Sequence, residues 1–126
     1  MFEQDYIMRQ LKEMIRAIFK MLFGTDVKST TVELLESQED KELLESLFEM
    51  ADNGNINEAE NRLYDLMDNN NSSLKTALLF YSYLNDKTDE FLEANNFSRE
   101  EIKSGINQLM DRYDLSELAR LILLDL

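Results

Sequence analysis

From Phe2 to Leu22, apolar side chains recur with the period of an α-helix. With Ile18 at zero on a wheel advancing about 100° per residue, Ile7, Leu11, Met14, Ile15, Met21, Leu22, Met8 and Phe19 fall within an arc of roughly 160°. Arg9, Lys12, Arg16 and Lys20 form a narrow stripe on the opposite side. Gly24 stands where a helix of this length needs its C-terminal stop. No other segment of the chain carries so strong a periodic signal.

The rest of the chain continues in the same language. It holds no proline and only 3 glycines in 126 residues, whereas a β-rich domain needs more of both for its turns. Thr30 with Glu33 reads as a capping box that opens a short helix through Leu35. The polar stretch Glu36 to Glu42 breaks that helix. Asp40 begins a segment with Leu43, Leu44, Leu47, Phe48 and Ala51 at helical spacing, and Asn53-Gly54 stops it. Asn55, with Glu58 three residues on, caps a helix carrying Ala59, Leu63, Leu66 and Met67.

After the loop Asp68–Ser73, Ser72 or Ser73 caps a helix with Leu74, Ala77, Leu78, Leu79, Phe80, Tyr81, Tyr83 and Leu84. It is apolar on nearly every side and is expected to be the buried central helix. Thr88 opens a short helix to about Asn95. Ser98 and Glu101 form a capping box with Phe97 and Ile102 as its hydrophobic staple. Asp114 and Glu117, with Tyr113 and Leu118, repeat that arrangement. These signals place the last two helices at about 99–112 and 115–125. The expected fold is all-α, a single domain over 1–126 with six or seven helices, built as a helical-hairpin bundle or a short solenoid-like array.

The chemistry that composition excludes is extensive. There is no His and no Cys, so Ser-His-Asp and Cys-His catalysis, thiolate metal sites and disulfides are absent. The net charge of −13 opposes binding to nucleic acid, whose phosphates require a basic surface. The basic residues of the first segment interrupt any signal-peptide core, and no apolar run approaches the roughly 20 residues of a membrane span. These features predict a cytoplasmic protein.

Four features remain to be weighed as sites. Counted from Glu49 as first, Asn53, Gly54, Ile56, Asn57 and Glu60 suit a calcium loop, but the first ligand is Glu rather than Asp and the third position is Ala51. A helix–turn–helix centred on Gly54 accounts for the same residues. Twelve acidic residues lie between Glu33 and Asp68 against Lys41 and Arg62. Carboxylates so placed can bind metal or transfer protons, yet charge runs of this kind are ordinarily a solvated face. Tyr64, Phe80, Tyr81 and Tyr83 could stack on a ligand but sit at the spacing of core residues. The basic stripe of the first helix could lie on an anionic membrane. Residues 1–24 carry net +1 and the remainder −14, so attraction between that stripe and the acidic body is the simpler reading.

Residues Gly54, Ile56, Ala59, Leu63 and Leu66 resemble the turn and second helix of one tetratricopeptide repeat, without a second clear copy. The opening Met1-Phe2-Glu3-Gln4-Asp5-Tyr6-Ile7-Met8-Arg9-Gln10-Leu11, with Phe23-Gly24, resembles a family of small uncharacterised all-helical bacterial proteins, known as a domain of unknown function. That resemblance implies a free-standing helical protein of this length. It transfers no functional residues.

The expected function is therefore a non-catalytic cytoplasmic protein-interaction or scaffold module, with no catalytic, cofactor or metal residue assigned. The alternatives are a peripheral membrane-surface protein acting through the N-terminal helix and a carboxylate-based metal-binding protein. Self-association as a homodimer is expected as well. The last helix carries Leu115, Leu118, Ala119, Leu121, Ile122, Leu123, Leu124 and Leu126 around its whole circumference, and Phe2 and Phe23 fall outside the apolar arc of the first. Phe2, Phe23, Leu121 and Leu124 are the expected self-association surface, and a C2 dimer is the commonest closed assembly.

Overall fold

The computed structural model describes the backbone of residues 2–67 and 71–125, and the side chains of residues 4–67 and 73–121. Seven α-helices follow in order: α1 (Phe2–Phe23), α2 (Gln38–Asp52), α3 (Ile56–Leu66), α4 (Asn71–Asn85), α5 (Asp89–Ala94), α6 (Arg99–Arg112) and α7 (Ser116–Asp125), with one 3-10 turn at Val32–Leu34. No strand occurs among the described residues, so the fold is all-α as the periodicities predict. Among those residues, no helix is long and apolar enough to cross a membrane.

Local signals set most helix ends. Gly24 closes α1 with φ +70°, and its amide donates to Lys20 O at 2.8 Å. The Ser98–Glu101 capping box forms in both directions, at 3.2 Å and 3.3 Å. Its staple residues Phe97 and Ile102 are both buried. Thr88 Oγ1 accepts from Phe91 N at 3.0 Å at the start of α5.

Five expected helix starts turn out otherwise. The Thr30 hydroxyl pairs with Ser82 Oγ at 2.7 Å instead of capping, so a three-residue 3-10 turn stands where a helix was expected. Ser37 caps α2 through Asp40 N, which starts that helix at Gln38, earlier than Asp40. Helix α4 is already under way at Asn71, which places Ser72 and Ser73 inside its first turn. Asp114 adopts φ +58° and closes α6, with Leu115 N donating to Met110 O at 2.7 Å. That left-handed closure removes it from the capping geometry of α7. Asn55, the expected cap of α3, makes no side-chain capping bond.

Helix α4 is the centre of the molecule, as its all-round apolar pattern predicts. Leu74, Ala77, Leu78, Leu79, Phe80, Tyr81 and Leu84 are all buried. It packs against α1, α2 and α6. Helix α1 contributes Leu11, Met14, Ile15, Ile18 and Phe19 to the same core. Helix α7 lies against α1 and α6, so the first and last helices meet. In a solenoid each repeat touches only its neighbours; here a central helix is wrapped by three others, which is the bundle form of the expected fold.

The basic stripe of α1 stays at the surface. Arg9, Lys12 and Lys20 are exposed. Arg16 forks onto Asp26 at 3.0 Å and 3.1 Å and lies 3.9 Å from Glu13. The expected attraction to the acidic body thus takes the form of one local pair, with Asp26 in the loop after α1.

The helices after α4 are held by a buried guanidinium. Arg99 is 2% exposed at the first position of α6. Its five hydrogen bonds reach Asn85 O (2.8 Å), Asn85 Oδ1 (3.1 Å), Lys87 O (2.8 Å) and Asp89 Oδ1 (3.1 Å and 2.9 Å). Asn85, itself 1% exposed, donates through Nδ2 to Met8 O of α1 at 2.9 Å. One side chain therefore ties the end of α4, the α4–α5 loop, the start of α5 and the start of α6, and Asn85 extends the tie to α1. Without Arg99, the buried Asn85 oxygens lose their donor and the half-buried Asp89 loses its counter-charge. Arg99→Met is expected to cost about 3–5 kcal/mol in urea unfolding, and Arg99→Lys to recover only part of it because an ammonium lacks the planar fork.

Candidate groove between α3 and α6

Helix α3 follows α2 after three residues, Asn53 to Asn55. Gly54 there has φ +88°, and a Cβ on it would collide with the Asn95 side chain at the end of α5. Both facts require glycine. The tight turn also disposes of the calcium loop. Glu49 lies within α2 and Glu60 within α3, so the twelve residues 49–60 do not form a loop. Among the described residues no group of three Asp or Glu side chains could hold a metal ion.

The register that this turn imposes aims Glu60 and Tyr64 at α4 and α6. Tyr81 reaches them from the core: its hydroxyl donates to Glu60 Oε2 at 2.6 Å and lies 3.1 Å from Tyr64 Oη. Tyr64 Oη also donates to Gly105 O of α6 at 3.3 Å. Gly105 exists for this junction. A Cβ there would overlap the ring and hydroxyl of Tyr81, so the roughly 1 kcal/mol that glycine costs inside a helix is offset by the approach it permits.

Around this cluster lies a groove of about 400 Å³. One wall is Asn57, Glu60, Asn61 and Tyr64 of α3; the other is Glu101, Ser104, Gly105 and Gln108 of α6, with Phe97 at one end. Asn57, Asn61, Ser104 and Gln108 are exposed. Among the described residues, their side chains form no bonds within the chain.

The electrostatics of the groove are uneven. Burial raises the Glu60 carboxyl above its ordinary 4.5; the Tyr81 hydrogen bond opposes this, and the charge of Glu101 adds to it. Burial likewise raises Tyr64 and, more strongly, Tyr81, so both remain neutral hydrogen-bonding groups. Arg112, one turn beyond Gln108 on α6, acts on Tyr64 in the opposite sense.

A second aromatic cluster closes α2 against the end of α4. Phe48 stacks on Tyr83 with ring centroids 3.8 Å apart, and the Lys87 ammonium sits over Tyr83 and Phe91 at 4.7 Å and 5.0 Å. Asp52 accepts from Tyr83 Oη at 2.7 Å and pairs with Lys87. Burial pushes Asp52 up, but the Lys87 and Tyr83 hydrogen bonds outweigh it and the carboxyl ends lowered. Tyr83 is pushed up to about 12, by burial first and then by Asp52. Every polar group here has its partner inside the cluster, which makes it a clasp.

The aromatic residues singled out from sequence thus separate. Phe80 and Tyr81 are core, Tyr83 is part of the clasp, and Tyr64 lines the groove. Of the expected self-association surface, Phe23 is half-buried, packed edge-on against Phe19 at 5.0 Å with the Lys75 ammonium over its ring. Leu121 is 61% exposed. The side chains of Phe2 and Leu124 lie outside the described residues. In the sequence, Asn57 stands out only as a position of the calcium loop, and Asn61, Ser104 and Gln108 carry no signal of a site. Their i, i+4 spacing on two helices was visible, but nothing in the chain order indicated that the two rows face each other.

The model of a family described as a family of unknown function (DUF6483) matches residues 1–114. No curated protein matches the chain, and no solved structure matches it.

The raised carboxyl of Glu60 has a defined consequence for stability. A folded-state value above the unfolded one means that the folded chain holds this proton more tightly. The stability it confers is present below 4.5 and is lost as pH rises through the folded value. Glu60→Gln keeps an acceptor for Tyr81 and removes the titration. Its stability relative to the parent is expected to improve as pH rises above 4.5, measured by urea unfolding across a pH series; a difference that is flat or falls with pH contradicts the burial of this carboxyl.

Proposed function

The chain belongs to this family of unknown function, and from that premise we propose that it is a non-catalytic protein-interaction module whose receiving surface is the α3–α6 groove. The observation that supports this reading is the convergence of unpaired hydrogen-bonding side chains on a concave surface. Asn57 and Asn61 of α3 line it together with Ser104 and Gln108 of α6, with Tyr64 and Gly105 between them along the two walls. Binding sites are concave surfaces with a few convergent polar groups. The walls are helices held by buried contacts, so the donors and acceptors are presented without the ordering cost that a mobile loop would incur. A carboxylate held above its ordinary value in a cleft is also a mark of functional sites.

A photo-crosslinking amino acid placed at Gln108 tests this reading in the native cell. Discrete adducts are expected there and not from the same probe at Glu39 on the outer side of α2. Equal labelling at both positions, or none at Gln108, removes the groove from consideration.

Self-association through α7 is a second reading, favoured by one observation. Leu115 and Leu118 are half-buried and Ala119 is buried against the body, whereas Leu121 is 61% exposed. A leucine left in water on a helix whose other side is already covered invites a second apolar surface. On this reading light scattering gives a mass that rises above 14.8 kDa with concentration, and Leu121→Lys returns it to the monomer value without loss of helix content. A mass that stays at 14.8 kDa at high concentration rejects it.

A further inference from the structure

We infer that the occupant of the α3–α6 groove is an extended polypeptide segment carrying a Lys or Arg side chain, which lies between Glu60 and Glu101. This rests on the reading of the groove as an interaction surface and goes further by naming the chemistry of the partner.

Three observations support it. The first is periodicity. Asn57 and Asn61 are one turn apart on α3, and Ser104 and Gln108 are one turn apart on α6. Side chains at i and i+4 repeat about every 6 Å along a helix. An extended chain repeats its outward-facing amide and carbonyl groups every two residues, about 6.6 Å. The carboxamides of Asn57, Asn61 and Gln108 and the hydroxyl of Ser104 each offer both a donor and an acceptor, which matches a peptide unit whichever way it is turned. Two such rows facing each other can satisfy the main chain of an extended segment without reading its sequence.

The second is the charge at one end. Glu60 is half-buried, fixed by Tyr81 at 2.6 Å, and close enough to Glu101 for their charges to act on each other. Neither carboxylate has a cationic partner in any ion pair among the described residues. Their mutual repulsion is relieved by a cation placed between them, and an Arg or Lys head group supplies several donors to do so. Arg112 acts at the Tyr64 end, so the groove is acidic at the end near Phe97 and less so at the other. That asymmetry gives a bound segment a preferred direction.

The third is the field of the whole molecule. With a net charge of −13, the chain attracts basic segments and repels acidic ones before contact.

The test uses the full chain and short random peptides displayed on phage, followed by synthesis of the enriched peptides with acetylated N-termini. Enriched peptides are expected to share a Lys or Arg. Binding by fluorescence anisotropy is expected to weaken about tenfold or more in the double variant Glu60→Gln, Glu101→Gln, since a charge-assisted bond contributes about 1.5–3 kcal/mol. Gln at 101 keeps the capping box, so the fold is retained, and thermal unfolding verifies it. Asn61→Ala should weaken every selected peptide. Glu45→Gln with Glu49→Gln, on exposed positions of α2, should leave binding unchanged. Equal losses at the α2 positions show general attraction to an acidic surface and overturn the inference. Peptides that lack a basic residue yet lose affinity in Asn61→Ala overturn the basic anchor while leaving the groove as a binding surface. A selection whose products are all indifferent to Asn61→Ala overturns both.

Discussion

Arg99 is the interaction on which the second half of this fold depends. Helices end with carbonyl groups that have no partner inside the helix. The end of α4 would bury such a group at Asn85, beside Lys87 O in the next loop, in a place that water does not reach. A guanidinium is the one side chain with five donors in a fixed fork, and it can serve both carbonyls, an amide oxygen and a carboxylate together. A cation at the start of α6 also runs against the helix dipole. Asp89 neutralises it at 2.9 Å, and Ser98 and Glu101 cap the helix without help from the charge. No buried polar side-chain atom among the described residues lacks a partner, which is the condition under which burying such a group is tolerable.

What the junction secures is the register of α6. Once Arg99 is anchored beneath the end of α4, Gly105 falls opposite Tyr81 and the row Glu101, Ser104 and Gln108 falls on the face toward α3. Tyr81 then works on two sides. Its ring is part of the core, and its hydroxyl, itself buried, holds Glu60 and meets Tyr64 beneath the groove. The groove floor is consequently an extension of the core. Displacing Tyr81 would disturb both.

The absence of His and Cys from the whole chain leaves Asp, Glu, Tyr, Ser, Thr, Lys and Arg as its titratable and nucleophilic side chains. The structure disperses these groups. The Glu60 cluster, the Asp52–Lys87–Tyr83 clasp and the Arg99 junction each use their polar atoms on one another. The exposed side chains of Asn57, Asn61 and Gln108 along the groove have no such partner among the described residues.

Much was decided by local sequence. The apolar arc of α1, the all-round apolar face of α4, the Gly24 and Gly54 stops and the Ser98–Glu101 box act over a few residues and appear in the structure where the pattern placed them, except that Met21 of the arc is 59% exposed. The family resemblance, too, was legible from the opening residues. Tertiary structure decided what depends on distant groups. Thr30 and Asp114 looked like caps but were claimed by Ser82 and by the closure of α6, because a hydroxyl or a backbone amide goes to the partner that the whole fold supplies. Nothing in the local sequence marks Arg99 as buried, because its hydrogen-bond acceptors come from residues 85–89 and meet it only in the packed fold. The groove joins residues 57–64 to residues 97–108, and no periodicity within either helix can specify which rows will face across a gap. That alignment follows from how α4 is buried and how Arg99 is bound, since a helix carries its own period in its sequence but takes its neighbours from the packing of the core.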